Sequence, residues 1–326
     1  MRPVALLLPG QGAQHPGMAV DLYVAEPLFA KAIDALFEEM GEEGRRLRTV
    51  WLSSESGSVL DEGTVAQPLL FAIDYALGRC LEEYGIRPAA YLGHSVGELA
   101  GAALANVLGD GGAAKVMAAR ARCISAIPDG GMIAVAAAPA ALVRFVDPPG
   151  RADGVVVAAQ NAPMHTVLAG PEPRLSQVGA ALESAGLAWR RVPARQAFHS
   201  AAARPAARVF QLELARLPLQ PPDVPVWSTR TGQPARPEEA VDPEFWAGQL
   251  ARPVLFRQAL DGLLDSGPLT IIEAGPSQSL SMFARRHRCV REGKSVVIPL
   301  LSSGRAGTLD AWHSALTYLG KRRSTI

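Results

Sequence analysis

One serine stands between two glycines at two-residue spacing in the segment Gly93-His94-Ser95-Val96-Gly97. This pattern is typical of a nucleophile elbow, a sharp turn between a strand and a helix that lifts the serine hydroxyl out of the sheet edge. The flanking glycines permit the turn because they carry no side chain that could clash. The first N–H groups of the following helix would face a developing oxyanion. The segment therefore predicts a nucleophilic serine, and the alternative is a serine that only caps a helix.

A nucleophilic serine needs a general base, for which histidine is the first candidate. The chain has six histidines: His15, His94, His165, His199, His287 and His313. His94 adjoins the serine in a turn, where neighbouring side chains diverge, and we expect surface or structural roles for His165 and His287. His199 lies where the chain is predicted to return from a small subdomain to a larger domain, a junction that commonly lines a cleft. His199 is therefore the candidate base, although the residues alone leave a structural role open.

The elements predicted around Ser95 have the order that the elbow requires. Val4–Leu8 is a short apolar run ended by Pro-Gly, which indicates a strand buried on both faces. A helix is predicted to begin at Pro68 and to end near Gly85. A short strand over 90–92 precedes the serine, and a helix of small residues follows it.

Residues 132–192 show a different pattern, with elements in the order βαββαβ and a turn predicted over 160–163. That order is typical of a ferredoxin-like unit. We therefore predict an α/β protein in which residues 1–129 and 197–326 form the large domain and residues 130–196 form an inserted subdomain.

Composition excludes several classes of protein. The 326 residues include 32 Lys and Arg against 31 Asp and Glu, so no overall field favours nucleic acid or an anionic membrane. Cys80, Cys123 and Cys289 are too far apart for a disulfide framework or a paired metal-ligand motif, which favours the cytoplasm. No apolar run has the length of a signal peptide or a membrane span. We expect a cytoplasmic protein with no metal, nucleic-acid or membrane partner.

Two nucleotide-binding motifs fail on spacing. Gly10 and Gly12 follow a strand, but the third glycine of a dinucleotide-binding fingerprint would fall at His15. The segment 293–295 reads Gly-Lys-Ser, but Arg288 stands where the first glycine of a P-loop belongs.

Six ordered motifs carry a family resemblance. They are PGQGAQ at 9–14, AQPLLFAIDYAL at 66–77, GHSVGE at 93–98, AAR at 118–120, AFHS at 197–200 and EAGPS at 273–277. The chain resembles the malonyl-CoA:acyl carrier protein transacylases and the acyltransferase domains of modular polyketide synthases. The resemblance implies an α/β-hydrolase-like parallel-sheet domain with an inserted ferredoxin-like subdomain, in agreement with the predicted elements.

The resemblance also implies roles for five residues. Ser95 would be acylated, and His199 would act first as general base and then as general acid. The backbone N–H groups of Gln11 and Val96 would form the oxyanion hole. A main-chain carbonyl would orient His199, and Gln249 matches that position.

Substrate-binding residues follow from the same resemblance. Arg120 matches the arginine that binds the malonyl carboxylate, for which a guanidinium fork is well shaped. The alternatives are a solvated helix charge at Arg120, or Arg122 in its place. Phe198 fills the space that an α-methyl branch would need, which favours malonyl, and Gln67 and Ser200 are expected to line the site.

The chain departs from the family pattern at two places. Ala121, Ile124 and Ser125 stand where the family usually has Gly, Met and Gln, and Ala201, Ala202 and Ala203 stand where it has Pro, Leu and Met. Small side chains beside the base could open a channel for a longer acyl group. The alternative is drift that other residues compensate.

The implied reaction is a ping-pong acyl transfer. A coenzyme A or carrier thioester acylates Ser95, and the phosphopantetheine thiol of an acyl carrier protein then takes the acyl group. These thioesters are substrates, and no bound cofactor or metal is expected. We expect a monomer that acts in trans, since the chain ends where the acyltransferase ends. The alternatives are carrier-to-carrier transfer of a larger acyl or aminoacyl unit, an editing thioesterase, and a non-catalytic scaffold that binds carriers.

Carrier proteins of this kind are acidic, so arginine clusters are candidate docking sites. One cluster contains Arg285, Arg286, Arg288 and Arg291, and the other contains Arg190, Arg191, Arg195, Arg204 and Arg208. The alternative for either cluster is an ordinary solvated surface.

Overall fold

The computed structural model describes residues 2–53, 57–148, 150–304 and 306–321. Its strands are β1 (Val4–Leu8), β2 (Pro88–Gly93), β3 (Gly130–Val135), β4 (Val156–Ala162), β5 (His165–Pro171), β6 (Trp189–Arg191), β7 (Val226–Trp227), β8 (Thr270–Glu273) and β9 (Val296–Pro299). A large parallel sheet has the order β7-β2-β1-β8-β9, and a small antiparallel sheet has the order β4-β5-β3-β6.

Helices cover both parts of the chain. The α-helices are α1 (Val20–Ala25), α2 (Pro27–Glu39), α3 (Glu42–Leu52), α4 (Gly63–Glu83), α5 (Val96–Leu104), α6 (Gly112–Ile124), α7 (Arg174–Ser184), α8 (Arg204–Leu214), α9 (Pro237–Ala240), α10 (Pro243–Ala247), α11 (Phe256–Asp265), α12 (Ser279–Ala284), α13 (Arg288–Arg291) and α14 (Thr308–Tyr318). Short 3₁₀ helices cover Gly57–Asp61, Pro139–Phe145, Ala201–Ala203 and Gly248–Ala251. In the described ranges, no helix combines the length and the apolarity needed to cross a bilayer.

The central strand β1 fixes the position of the site. All five residues of Val4–Leu8 are buried, as the apolar run predicts, and burying each leucine side chain contributes about 1.5–3 kcal/mol. β1 pairs in parallel with β2 on one side and with β8 on the other. The carboxyl ends of β1 and β2 therefore lie side by side, which is where open α/β sheets bind ligands. The turn that follows β1 begins at Pro9, and the turn that follows β2 begins at His94. These two turns are therefore neighbours.

Helix α4 begins earlier than the sequence predicts. It begins at Gly63, which places Pro68 inside the helix and not in its first turn. Proline has no N–H to donate to the carbonyl four residues earlier, so the Thr64 carbonyl loses its helical donor. The Arg46 guanidinium replaces that donor at 3.5 Å. This tertiary contact is not visible in the local sequence pattern.

The small sheet confirms the predicted ferredoxin-like topology. Its four strands follow the order βαββαβ along the chain, and the first helical segment, Pro139–Phe145, is 3₁₀ in form. The sheet has its own apolar core, which includes Ile133, Leu168 and Leu182. The fold class is therefore confirmed, while the residue bounds given above for the two domains stay a prediction.

The predicted turn over 160–163 is wrong for its first three residues. Strand β4 continues through Ala162, with shifts in register between Val157 and Ala159 and between Gln160 and Ala162. The continued strand also binds the large domain, because the Gln160 N–H donates to the Val254 carbonyl at 2.9 Å. These irregular pairings keep polar residues inside a strand, where local propensity favours a turn.

An acidic pair is buried beneath the site. Asp74 on α4 is fully buried, and neither of its carboxylate oxygens has a hydrogen-bond partner among the described residues. Burial, and then the nearby charge of Glu273, raise the pKa of Asp74 well above its ordinary value. Glu273 accepts hydrogen bonds from the Leu280 and Ser281 N–H groups at 3.2 and 2.6 Å. Asp74 is therefore the member of the pair that keeps its proton in the folded protein.

We expect Asp74→Asn to make the protein more stable than wild type as the pH rises. The raised pKa of Asp74 means that its contribution to stability is fully present below the unfolded-state pKa and is lost as the pH rises through the folded-state value. Asparagine has the same shape and cannot ionise. The difference in unfolding free energy should grow by about 1.4 kcal/mol per pH unit where wild-type Asp74 stays protonated. Urea unfolding of both proteins at several pH values measures it, and a constant difference would contradict the protonated state.

Candidate active site

Ser95 sits in a strained turn between β2 and α5. Its φ of 55° is in the left-handed region, which residues with side chains rarely adopt. A Cβ on Gly93 would lie 2.1 Å from the Glu98 nitrogen, and a Cβ on Gly97 would lie 2.1 Å from the Leu8 oxygen. The turn therefore requires both glycines, as the sequence pattern predicts, and it presents the serine at the carboxyl edge of the large sheet.

The Ser95 hydroxyl meets the imidazole of His199. The distance from Ser95 Oγ to His199 Nε2 is 2.8 Å, across 104 positions of the chain. Both residues are buried, with 7% and 4% of their surface exposed. His199 also has a positive φ, of 60°, and its N–H donates to the Leu250 carbonyl at 2.7 Å. The predicted contact between serine and histidine is confirmed.

Two main-chain carbonyls orient the imidazole. His199 Nδ1 lies 2.9 Å from the Gln249 oxygen and 3.1 Å from the Arg252 oxygen. Carbonyl oxygens only accept, so the ring proton is assigned to Nδ1. Nε2 is then free to accept the Ser95 proton. This geometry matches the expected orienting position at Gln249 and adds Arg252 to it.

The surroundings keep the imidazole uncharged. Burial, and then the nearby His94 and Arg120, lower the pKa of His199 to about 3, against the smaller opposing effect of the two carbonyls. A neutral imidazole is the form that can act as a base. His199 is therefore ready to take a proton across the neutral pH range.

Glu98 supports this arrangement, and the sequence analysis assigned it no role. Its carboxylate accepts from the Thr229 hydroxyl at 2.6 Å and from Gln249 Nε2 at 3.1 Å. Gln249 Nε2 also donates to the Ser95 carbonyl at 2.8 Å. A glutamate in the first turn of an otherwise apolar, buried helix was the signal available in the sequence. Glu98 therefore ties the serine turn to the segment that orients His199.

Two backbone N–H groups are available next to Ser95. Val96 is the first residue of α5, so its N–H has no acceptor within the helix. The N–H groups of Gln11 and Val96 form no hydrogen bond within the described ranges. Gln11 lies in the turn after β1, beside the serine turn: a Cβ on Gly10 would lie 2.4 Å from the His94 oxygen. The location of both groups suits an oxyanion hole.

A cavity of about 310 Å³ opens in front of the serine. The predicted site residues on its wall are Gln11, Gln67, Ser95, Phe198 and His199. The small sheet contributes Met132, Ala134, Ala159, Asn161 and Val167. The cavity is therefore lined by both parts of the chain.

Arg120 lies behind that wall and is joined to it by Gln67. Its Nε donates to Gln67 Oε1 at 2.8 Å, and Gln67 Nε2 donates to Gln11 Oε1 at 3.0 Å. Arg120 is 1% exposed, and neither of its terminal nitrogens has a partner among the described residues. Burial lowers the pKa of Arg120 to about 10, so it stays charged at neutral pH. The site thus holds two unpaired cationic N–H₂ groups.

Ser200 faces another cavity. Its hydroxyl donates to the Ala197 carbonyl at 2.7 Å. Ser200 lines a second cavity of about 700 Å³ together with His199, Ala201 and Arg204. The side chain of Ser200 is therefore absent from the wall in front of Ser95, and its expected contact with substrate stays a prediction.

Three polar residues link the serine turn to the small sheet. His94 Nε2 lies 2.9 Å from Asn161 Oδ1, and Asn161 Nδ2 lies 3.4 Å from His165 Nδ1. All three line the first cavity. Sequence reasoning missed Asn161 because it placed this residue in a turn, and it expected only a surface or structural role for His165.

The predicted docking arginines separate into two places. Arg286 and Arg190 line the mouth of the first cavity, and Arg285 and Arg288 are exposed beside it in sequence. Arg204 lies on the second cavity instead. The second cluster is therefore divided, with Arg190 on the first cavity beside Arg286 and with Arg204 and Arg208 on the second.

One group of potential metal ligands lies outside the cavity. Single ligand atoms of Asp265, His287 and Cys289 lie within 4.8 Å of one another. His287 Nδ1 accepts the Cys289 N–H at 3.2 Å, which assigns the ring proton to Nε2. A metal at Nε2 would have to displace that proton, so the group fits a metal poorly.

Known proteins are similar to this chain in architecture and in sequence. The family model described as acyl transferase domain matches residues 6–317. One phenolphthiocerol/phthiocerol polyketide synthase protein of Mycobacterium tuberculosis is 36% identical over 284 residues, which cover 87% of this chain. The chain spans 19% of the length of that protein.

Solved structures give the same result. The acyltransferase domain from the second module of the salinomycin polyketide synthase is 35% identical with a TM-score of 0.86, covering 99% of this chain and 74% of that one. The malonyl CoA-acyl carrier protein transacylase of Coxiella burnetii has a TM-score of 0.82 at 22% identity, covering 98% of each chain, and shares the fold.

We expect the reactivity of Ser95 to be independent of pH between about 5 and 8, because the pKa of His199 is lowered to about 3 and the base stays neutral. The measurement is the rate at which phenylmethylsulfonyl fluoride, an uncharged serine reagent, labels Ser95. His199→Ala should slow labelling by about 100-fold or more, as expected for loss of a general base. A wild-type rate that falls with a midpoint at the ordinary pKa of histidine, about 6.5, would contradict this account.

Proposed function

The chain belongs to the acyl transferase domain family, and from that membership we propose that it transfers a malonyl group through Ser95 to the phosphopantetheine thiol of an acyl carrier protein. The proposed setting is polyketide or fatty acid synthesis. The observation that supports malonyl is the buried, charged Arg120, which has two unpartnered nitrogens and is bound to the cavity wall through Gln67.

In the first half-reaction the serine is acylated. Ser95 Oγ attacks the thioester carbonyl while its proton passes to His199 Nε2, which already lies 2.8 Å away. The negative charge that develops on the carbonyl oxygen is stabilised by the N–H groups of Gln11 and Val96. The carbon–sulfur bond then breaks, and the imidazolium returns its proton to the leaving thiolate. The products are the Ser95 ester and a free thiol.

In the second half-reaction the carrier thiol replaces the first thiol. Its proton passes to His199 Nε2, its sulfur attacks the ester carbonyl, and the Ser95 oxygen leaves with the same proton. The carbonyls of Gln249 and Arg252 accept from Nδ1–H of His199 both when Nε2 takes up a proton and when it gives the proton back. His199 therefore serves as base and acid in turn without rotating.

Arg120 is the proposed carboxylate ligand. Its Nε is already bound to Gln67, which leaves the two terminal nitrogens for a bidentate contact. A buried cation whose terminal nitrogens lack hydrogen-bond partners is costly, and a carboxylate supplied by the substrate would offset that cost. An acyl group without a charge would leave the cation unpaired.

A larger acyl group is the second candidate substrate. The second cavity of about 700 Å³ borders His199 and is lined by Ala201, where the family usually has proline. Ala201 makes room beside the base, as expected from that departure, although long side chains such as Arg204 and Arg252 also line this cavity. Malonyl is preferred because Arg120, whose two terminal nitrogens need a carboxylate, is bound through its Nε to Gln67 on the wall of the first cavity and not of the second.

The proposed carrier approaches the mouth of the first cavity. Arg190 and Arg286 line that mouth, and Arg285 and Arg288 lie next to Arg286 in sequence. An acidic carrier would meet this surface favourably, which speeds association more than it increases affinity. Arg204 lies on the other cavity and is not part of the proposed docking surface.

We also propose that the reaction takes place in the cytoplasm. Cys80, Cys123 and Cys289 are free thiols, as a reducing compartment favours. Coenzyme A thioesters, the proposed donors, are substrates and not resident cofactors.

Mixing the protein with malonyl-CoA should give a covalent malonyl adduct by intact-mass spectrometry, and Ser95→Ala should abolish it. Arg120→Ala should lower the rate of malonyl acylation by about 10- to 100-fold, because hydrogen bonds to charged groups contribute about 1.5–3 kcal/mol. Acetyl-CoA, which has no carboxylate, is the matched control, and the rate at which it acylates Ser95 should not fall by a comparable factor in Arg120→Ala. Equal losses with both donors would contradict the role of Arg120, and release of free malonate without a carrier would indicate a hydrolase.

The double variant Arg285→Glu/Arg286→Glu should slow transfer from acylated Ser95 to a carrier protein by about 10-fold at low salt, with a smaller effect at high salt. Arg204→Glu is the matched control, since it makes the same kind of charge change at the other cavity. Single-turnover transfer from the isolated acyl-enzyme separates this step from acylation. A larger effect at Arg204 would place the docking surface on the second cavity.

A further inference from the structure

We propose that Phe210 is a positioning residue of the acyl-binding site, because its ring holds the Arg120 guanidinium and leaves both terminal nitrogens open to a carboxylate. The inference rests on the proposed function, in which Arg120 binds the carboxylate of the malonyl group. It goes further by assigning a part in substrate recognition to a side chain that lines neither of the two cavities described above.

Phe210 lies on the buried face of α8. The side chains of Ala206, Ala207, Phe210 and Leu214 are buried, at the spacing that places them on one side of a helix. Arg120 Cζ, on α6, lies over the Phe210 ring at 5.8 Å from its centroid. This distance is within the range of cation–π attraction, which extends to about 6 Å. The helical spacing alone would indicate only a core aromatic residue.

The hydrogen bond to Gln67 does not by itself fix the guanidinium of Arg120. It joins a single donor, Nε, to Gln67 Oε1 at 2.8 Å. A long side chain that is held at one atom can still turn its terminal nitrogens. The Phe210 ring supplies a second contact, which restricts the plane of the guanidinium. That restriction matters because a guanidinium fork binds a carboxylate bidentately only when its plane is aligned.

A ring holds the cation without using the donors that the substrate needs. The negative face of an aromatic ring attracts the positive charge as a whole and is not a carboxylate that would pair with the terminal nitrogens. Neither terminal nitrogen has a hydrogen-bond partner in the described ranges. The nearby Glu98 raises the pKa of Arg120, but its carboxylate is bound to Thr229 and Gln249. The fork of Arg120 therefore stays open.

Other arginines that lie over aromatic rings differ from Arg120. Arg48 and Arg230 each lie over a ring and also pair with a carboxylate, at 3.3 and 2.7 Å. Arg144 lies over a ring and is exposed to solvent. Of these four arginines, Arg120 is the one that is buried and has no carboxylate partner among the residues that the structure describes. Its ring contact therefore carries more of the work of holding the cation.

We expect Phe210→Leu to raise the half-saturating concentration of malonyl-CoA in single-turnover acylation of Ser95 by about 10- to 30-fold, the range expected for loss of a desolvated cation–π contact. The maximal rate should change little, because the ion pair with Arg120 is present in bound substrate and transition state alike. Acetyl-CoA has no carboxylate, so the ratio of malonyl to acetyl kcat/KM should fall by a similar factor. Phe245→Leu is the matched control, since Phe245 lies under Arg230 at 5.1 Å, and it should leave this ratio unchanged.

Replacing Phe210 by 3,4,5-trifluorophenylalanine separates the charge distribution of the ring from its shape. Fluorine withdraws electrons from the ring face and weakens its attraction for a cation, while the ring keeps nearly the same size. The ratio of malonyl to acetyl kcat/KM should again fall, by about 3-fold or more. An unchanged ratio in the fluorinated protein would overturn the inference, because the ring would then act by its shape alone.

A cycle of double variants tests the route through Arg120. If Phe210 acts through Arg120, then Phe210→Leu should cause no further loss of malonyl acylation in a protein that already carries Arg120→Ala. Losses that multiply would reveal an independent structural effect and would overturn the inference. If Arg120→Ala alone kept the wild-type ratio of malonyl to acetyl kcat/KM, the proposed carboxylate contact would be wrong instead, so the two failures are distinguishable.

Discussion

The hydrogen bond between Ser95 and His199 depends on two unfavourable backbone conformations held in place by their surroundings. Both residues have positive φ, and each is held by close backbone packing: the serine turn against Leu8 and Glu98, and the histidine against the Leu250 carbonyl. Conformations of this kind cost about 1–3 kcal/mol each and persist only where the rest of the fold enforces them. The parallel pairing of β1 with β2 enforces the first, because it brings the chain after Leu8 against the serine turn.

Burial shifts the pKa values of both His199 and Arg120. Burial keeps His199 neutral, whereas Arg120 stays charged in spite of burial, because its pKa is lowered only to about 10, and its two terminal nitrogens have no partner among the described residues. The positive charge of Arg120 lowers the pKa of His199 beyond the effect of burial, as long as no carboxylate is paired with it. A substrate carboxylate would pair with Arg120 and remove part of that repulsion, so the imidazolium that forms during transfer would cost less with the substrate in place. Binding energy would in this way support the chemical step as well as selectivity.

The sequence was sufficient where the chemistry imposes a local pattern. The glycines around Ser95 and the strand before it are local requirements, and the resemblance supplied His199 and the carbonyl at Gln249. The sequence did not reveal the roles of Glu98 and Asn161, because these roles depend on partners far along the chain. Glu98 binds Thr229 across 131 positions, and Asn161 binds His94 across 67. The start of α4 was predicted wrongly for the same reason, since the Arg46 guanidinium supplies the hydrogen-bond donor for the Thr64 carbonyl that Pro68 lacks.

The small subdomain is tied to the base through backbone as well as through the cavity wall. Strand β4 exchanges hydrogen bonds with Val254: Gln160 N–H donates to its carbonyl at 2.9 Å, and its N–H donates to Ala158 at 2.8 Å. Val254 lies two residues after Arg252, whose carbonyl helps to hold His199 Nδ1. A movement of the subdomain against the large sheet would therefore change the cavity and the orientation of the imidazole together. The shape of the cavity and the orientation of the imidazole are mechanically linked in this arrangement, since one strand pairing supports both.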